Sequence, residues 1–278
     1  MRVVTLGDLL LDVVVRLEEP HASDDDVPAA IALVPGGQAA NVAAWVCWLG
    51  AEARLVARRT DDAGGRMIAG ELAARGVELS GPLVTGERTG TVVALVAPDG
   101  TRTLASDRGA SGTLGPDDVD ASTADGADVL HVAGYTLLRD PGAAAAVLLA
   151  DAARRYGARV TIDLSTARGI AQLGREEMRR RVAALAPDVV FANEAEVAAF
   201  GEPLACVWVV KRGALGCTVQ EGDDLVAYAG VEVKQVVDTT GAGDAFAAGF
   251  VLEKDLANAA QRGQAAAARC VTLVGALP

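Results

Sequence analysis

The sequence predicts an α/β protein: a mainly parallel sheet covered by helices on both faces, carrying a small β-rich element. Three observations predict it. From Val129 to Val210 short apolar runs alternate with Ala-, Leu- and Glu-rich helical stretches, the pattern of parallel strands joined by crossover helices. The first apolar run, Val3–Leu6, stops at Gly7 as a buried strand stops at a turn. Residues 83–106 differ in texture, being rich in Val and Thr around Pro98-Asp99-Gly100, which reads as a β-hairpin.

In chain order, Val3–Leu6 and Asp12–Leu17 read as strands, and Asp24-Asp25-Asp26 as a solvated loop. Ala39–Leu49 is a helix closed by Gly50, Leu55–Ala57 a strand, Asp61–Gly64 a turn and Arg66–Arg75 a helix closed by Gly76. Thr89–Ala97 and Thr101–Ala105 form the hairpin. Strands at Val129–Val132, Val160–Leu164, Val189–Phe191 and Val207–Val210 then alternate with helices at Ala143–Tyr156, Glu176–Leu185 and Glu194–Phe200. Cys217–Gln220 and Leu225–Tyr228 suggest a late hairpin, and Ala242–Leu252 and Ala257–Val274 read as closing helices. Neither a repeat nor a linker divides the chain, so residues 1–278 are expected to form one unit. Its β-rich element comes from two pieces, about 13–35 and 82–108, placed to act as a lid over a site.

Composition narrows the function. With 51% hydrophobic and 22% charged residues over 278 positions, the chain can bury a large core and is not disordered. Its net charge of -12 repels phosphate backbones and argues against nucleic acid as a partner, while leaving room for a small phosphate ligand at a local site. The four cysteines form no CxxC pair and only two histidines are present, so reduced thiols and a cytoplasmic setting are expected, not a zinc site. Asp8 and Asp12 interrupt the N-terminal apolar run, which therefore does not read as a secretory leader. Residues 27–51 carry no charge, but Pro28, Pro35, Gly36, Gly37, Gln38 and Asn41 break the stretch and argue against a membrane span.

The strongest chemical signal is Val236-Val237-Asp238-Thr239-Thr240-Gly241-Ala242-Gly243-Asp244-Ala245-Phe246. A β-branched run leads through two threonines to glycines that open an apolar helix. The backbone N–H groups of Gly241, Ala242 and Gly243 would face an anion at the helix N-terminus with no side chain in the way. Asp244, in the first turn, could take a proton from an attacking hydroxyl while the amides stabilise phosphoryl oxygens. The plainer alternative is a Gly-rich turn with Asp244 favouring the helix dipole. No GxxxxGK[ST] is present, and the third glycine of a dinucleotide fingerprint is missing.

That string resembles the C-terminal signature of the ribokinase-like carbohydrate kinases, the PfkB family, and four further elements extend the resemblance along nearly the whole chain. They are Gly36-Gly37-Gln38-Ala39-Ala40-Asn41, Thr60-Asp61-Asp62-Ala63-Gly64 (Thr60 standing where Gly is usual), Asn193-Glu194-Ala195-Glu196 and Lys211-Arg212-Gly213-Ala214-Leu215-Gly216. The resemblance implies a three-layer α/β sandwich with a β-sheet lid, and ATP-dependent phosphorylation of a hydroxymethyl group. It implies Asp244 as catalytic base and Gly241, Ala242 and Gly243 as the anion hole. It implies Asp12, Gly37 and Asn41 at the acceptor, and Asn193, Lys211, Gly213, Gly216 and Gln264 around the nucleotide. Glu196 would organise Mg²⁺ through water, and Asp238 and Thr240, near Gly275, a monovalent cation such as K⁺. Each match also has a bland reading: Asn193 and Glu196 as a capping pair, Lys211-Arg212 as a solvated loop, Asp12 as a turn carboxylate, Asn41 as a helix cap. The family often continues beyond the equivalent of Gly275-Ala276, which implies a shortened nucleotide-side edge here.

For the acceptor, neither lid segment contains Phe, Trp or Tyr, whereas a nucleoside base stacks on an aromatic face. A sugar or sugar acid is therefore expected. Arg88, Arg102, Arg108 and Arg139 are candidates for an anionic group on it, and Trp45, Trp48 and Tyr135 the remaining aromatic candidates. A nucleoside kinase and a non-catalytic sugar or nucleotide sensor remain the alternatives. Exposed strand edges on a lid predict a homodimer.

Overall fold

The computed structural model describes residues 1–21 and 24–278. Strands β1 (Arg2–Leu6), β2 (Leu10–Leu17) and β3 (Ala29–Gly36) precede helix α1 (Gln38–Trp48). Strands β4 (Glu52–Val56) and β5 (Arg59–Thr60) lead to α2 (Ala63–Ala74), and β6 (Glu78–Ser80), β7 (Leu83–Val84), β8 (Gly90–Val96) and β9 (Arg102–Asp107) follow. Next come β10 (Val129–Ala133), α3 (Asp140–Arg155), β11 (Arg159–Asp163), α4 (Ala167–Leu173), α5 (Arg175–Ala184), β12 (Val189–Asn193) and α6 (Glu194–Phe200). The chain continues with β13 (Val207–Lys211), β14 (Cys217–Glu221), β15 (Asp224–Tyr228), α7 (Ala242–Val251) and α8 (Leu256–Cys270).

A nine-stranded sheet runs β15-β14-β13-β12-β11-β10-β1-β4-β6. Its seven strands from β13 to β6 are parallel, and the β14–β15 hairpin closes one edge antiparallel. Alternation within each strand sends side chains to two cores: Val189 and Phe191 face one way, Val190 and Ala192 the other. The first core is packed by α1, α2, α7 and α8, the second by α3 to α6. Phe191 meets Phe250 edge-on at 5.2 Å, and Trp45 is fully buried with its indole N–H on the Ala276 carbonyl at 2.8 Å. This is the fold class expected from the alternating runs.

The β-rich element is a separate four-stranded sheet, β3-β2-β8-β9. The predicted hairpin is β8–β9, and β2 pairs antiparallel with β3. The two halves join through a parallel β2–β8 contact, which no turn signal announces. Residues 22 and 23, inside the expected 13–35 lid segment, lie outside the described residues; Asp24 to Asp26 are exposed as expected.

Two local differences have physical causes. The helix expected over Ala257–Val274 ends at Cys270: the Thr272 and Leu273 N–H groups tighten onto the Arg269 and Cys270 carbonyls three residues back, and the Val271 carbonyl accepts from Val237 and Asp238. The two-turn helix α4 escapes periodicity, and Thr166 caps it by accepting from the Gly169 N–H at 3.1 Å. The charge-free stretch 27–51 divides into β3 and α1, and among the described residues no helix is long and apolar enough to cross a membrane.

Candidate active site

The parallel strands end at one rim, and the chemical candidates collect there. Helix α7 starts at Gly241, whose φ of 76° only glycine adopts readily and whose missing Cβ leaves room for Ala276. The Ala242 N–H turns back to the Thr239 carbonyl at 3.3 Å. The N–H groups of Gly241, Gly243 and Asp244 have no such partner among the described residues. Of the expected 241–243 anion hole, the two glycine amides are thus open and Ala242 is turned inward.

Asp244 follows in the first turn. Its Oδ2 accepts from Asn41 Nδ2 at 2.8 Å, and the nearby Gln38 side chain also favours its charged form. Ser165 donates its hydroxyl to Gln38 Oε1, which turns the Gln38 amide nitrogen towards Asp244. Withdrawal from water, reinforced by the nearby Asp163 charge, pushes the Asp244 carboxyl up to about 7 despite those hydrogen bonds and Lys211.

Lys211 corrects the bland reading of its pair. Its side chain turns inward to bond Asp163, and Nζ lies 3.1 Å from where a Cβ on Gly243 would stand. A lysine charge therefore sits directly against the α7 glycines. Burial lowers its pKa, but Asp163 and Glu196 more than offset this and hold it protonated. Arg212 is the solvated half, pairing with Glu194 at the surface. Asn193 and Glu196 form a complete capping box for α6, with a third bond from Asn193 Nδ2 to Glu196 Oε1 at 2.8 Å. Burial first, and Asp163 second, raise the Glu196 pKa.

A groove of about 730 Å³ opens beside this centre. It brings together Asn193, Lys211, Gly213, Gly216 and Gln264 with Ala242 and Gly243, and its size suits a small cofactor. Gly216, at φ 93°, could not carry a Cβ, which would fall 2.1 Å from the Tyr228 carbonyl. Gln264 on α8 donates to that same carbonyl at 3.1 Å.

On the opposite side, Asp12 of β2 lies against Gly36, where a Cβ would come 2.2 Å from its carboxylate. Gly37, at φ 99°, is forced by the Asp8 carbonyl, 2.3 Å from a hypothetical Cβ. The two glycines let β2 and the start of α1 close up, and burial raises Asp12 to about 6. Asn41 is spent at least in part on Asp244, although its buried Oδ1 has no partner among the described residues. Arg108 pairs with Asp8 and lies over the Tyr135 ring, 4.4 Å from its centroid.

The model of pfkB family carbohydrate kinases matches residues 1–278. The chain belongs to that family. It is 31% identical to the ATP-dependent ribose-1-phosphate kinase of Halopiger xanaduensis, over 90% of this chain and 84% of that protein. It is 29% identical to fructokinase-1 of Zea mays, over 99% and 93%. Among solved structures, the adenosine kinase of Sinorhizobium meliloti superposes with a TM-score of 0.87 at 26% identity, covering 100% of this chain and 95% of that one. A ribokinase-like protein from E. coli, solved in complex with ATP and Mg²⁺, shares the fold with a TM-score of 0.87 at 22% identity, over 99% and 94%. The protein is thus an ATP-dependent kinase of the sugar or nucleoside type with the ribokinase-like fold.

Several residues of this cluster carry no clear signal in the sequence. Asp163 ends β11 and faces Lys211, and an acid closing an otherwise apolar parallel strand was its available signal. Gln38 stood inside a quoted motif without a role, and Arg16 had no signal at all. Thr60, the departure from the usual glycine, is buried and bonds both Thr89 and Asp62. Asp62 in turn caps α2 and accepts from the Thr89 N–H, so that turn anchors the start of β8. Trp45 is core, and Trp48 closes the far end of α1, leaving Tyr135 as the aromatic ring near the centre.

Proposed function

We propose that this kinase transfers the γ-phosphoryl group of ATP to a hydroxymethyl group of a small sugar or sugar acid. The observation that carries the reading is Asp244, poised near neutrality between the open α7 amides and the side chains of α1. Asp12 accepts hydrogen bonds from acceptor hydroxyls, and Gly37 lets the acceptor lie close to the backbone. Asp244 takes the proton from the attacking hydroxyl, and Asn41 and Gln38 hold its carboxylate in position. The Gly241 and Gly243 amides, with Lys211 behind them, receive the charge of the transferring phosphoryl group. The nucleotide lies in the groove along Asn193, Gly213, Gly216 and Gln264.

Glu196 and Asn193 fit a Mg²⁺ held through water: each Glu196 oxygen already accepts from Asn193 and keeps capacity for a further donor. Bound there, Mg²⁺ would neutralise phosphate charge. The four-stranded sheet acts as a lid that excludes water from the transfer. Register places Val13, Val93 and Leu33 on one face and Val15 and Ile31 beside them, opposite to Asp12. Ile31 (65%) and Leu33 (49%) are exposed there, which supports a homodimer formed lid to lid. Use of ATP and four free cysteines fit a cytoplasmic enzyme.

The ribose-1-phosphate kinase relative supports an acceptor with an anionic group, for which Arg108 would exchange its pairing with Asp8. The adenosine kinase likeness supports a second reading, a nucleoside acceptor. Against it, one face of the Tyr135 ring is already covered by Arg108. The test is ADP release with ATP and Mg²⁺ across sugars, sugar acids, sugar phosphates and nucleosides, with Asp244→Asn as control. Turnover of a sugar compound, lost in the control, is expected. Turnover of nucleosides alone would replace the acceptor assignment, and ATP binding without turnover of any acceptor would favour a sensor.

A further inference from the structure

Asp238 opens the loop that leads to the α7 amides, and its carboxylate is saturated. Oδ1 accepts from the Thr240 N–H at 2.9 Å and from its hydroxyl at 2.6 Å, while Oδ2 accepts from the Gly275 N–H at 3.2 Å. Two further groups arrive from the lid. Arg16 Nη2 donates to Oδ2 at 3.1 Å. Arg102 Nη1 stands 3.6 Å from Oδ1 and donates to the Thr240 hydroxyl at 2.6 Å.

The convergence is built into the sheet. Arg16 on β2 pairs in register with Val96 on β8, and Val96 with Arg102 on β9. The two arginines therefore flank one residue and leave the same face. Asp12 lies four residues before Arg16 on β2, hence on that face too.

The residues do not fit the monovalent cation that the family resemblance implies at Asp238 and Thr240. Two guanidinium groups already address both carboxylate oxygens and the threonine hydroxyl, and a third positive charge there would meet their repulsion. We propose that Arg16 and Arg102 act in its place as positioning residues: they latch the lid to the loop before α7, so that the kinase needs no K⁺. The proposal rests on the reading of that loop as the phosphoryl-holding segment. The latch ties the strand that carries Asp12 to the loop before α7, so that the position of the lid and the order of the anion-binding loop are coupled. Both arginines are more than a third exposed at the side chain, so the latch is weak enough to reopen in each cycle.

The test needs no knowledge of the acceptor. Arg16→Ala, Arg102→Ala and the double variant are compared with the parent protein by amide hydrogen exchange and by melting in potassium, sodium and choline chloride at equal ionic strength. Exchange over 238–244 and over β2 and β9 is expected to quicken by about tenfold in the double variant, with the core strands unchanged. The parent should melt alike in all three salts, and the double variant should regain stability in potassium alone. Arginine-to-lysine replacement at both positions should restore most of the protection. Potassium-specific stabilisation of the parent would overturn the replacement of the cation. Unchanged exchange over 238–244 in the double variant would overturn the latch. Both readouts stand apart from turnover, so an inactive protein with the full latch signature would sink the kinase mechanism and leave the latch intact.

Discussion

Asp244 is held between two demands. A base must be ionised to accept a proton, yet withdrawal from water raises its pKa to about 7. Under the proposed mechanism turnover is absent where Asp244 is protonated, climbs through about pH 7 and levels above it. Asn41→Ala removes a bond that favours the carboxylate, so the rising limb should move to higher pH in a pH–rate profile. Asp244→Asn should lower kcat by about 10²- to 10⁴-fold while ATP affinity, read by calorimetry, stays near that of the parent. The same substitution should raise Tm. A carboxyl whose folded pKa is raised costs stability once it ionises, so the advantage of the variant opens between about pH 4 and pH 7 and is full above that. A variant melting below the parent at pH 8 would contradict the assignment of a costly buried charge. Lys211 presents the opposite case. Removing it by Lys211→Met leaves Asp163 and Glu196 facing each other without a cation, and a loss of about 3–5 kcal/mol is expected in chemical denaturation.

At the scale of elements, the proposed acceptor side rests on the junction of β3 and α1. Gly36 and Gly37 look equivalent in the sequence but do different work. Gly37 has φ 99° and meets the Asp8 backbone, so Gly37→Ala should lower Tm by several degrees in thermal melts. The three atoms nearest a Cβ on Gly36 all belong to the Asp12 carboxylate, at the end of a side chain that can swing away. Gly36→Ala should therefore raise the acceptor KM and leave Tm and the ATP KM nearly unchanged. Equal effects of the two substitutions would show that both act through the backbone. The elements most legible in the sequence were those with local causes. Helix α1 stops at Gly50 and α2 at Gly76, both at φ 85°, and β8–β9 turns at Gly100. Helix α8 is shorter than its composition predicts, because the chain tightens at Thr272 and Leu273 and turns its Val271 carbonyl to Val237 and Asp238.

At the scale of the molecule, the proposed dimer places the outer face of the four-stranded sheet at its contact. Ile31 and Leu33 stand exposed on β3, beside Val15 and Val13 in register. A soluble monomer gains nothing from such a face, whereas two lids packed together remove it from water. Light scattering coupled to size exclusion should give the mass of a dimer for the parent and of a monomer for Ile31→Lys combined with Leu33→Lys. A parent that runs as a monomer at every concentration would refute the lid-to-lid contact.

The sequence by itself determined what depends on neighbours along the chain: the alternating strands and helices, the glycine turns, the capping box of Asn193 and Glu196, and the anion-facing start of α7. Each arises within a few residues, where sterics and backbone hydrogen bonding leave a readable pattern. Only the tertiary structure decided the partners. Lys211 meets Asp163 across 48 positions, Asn41 meets Asp244 across 203, and Arg16 meets Asp238 across 222. Hydrophobic periodicity states which face of an element is buried but not what lies opposite. The meeting of polar partners from such distances is fixed by packing of the whole sheet, and that packing turned Arg16, which carries no signal in the sequence, and Arg102, expected at the acceptor, into the neighbours of the α7 loop.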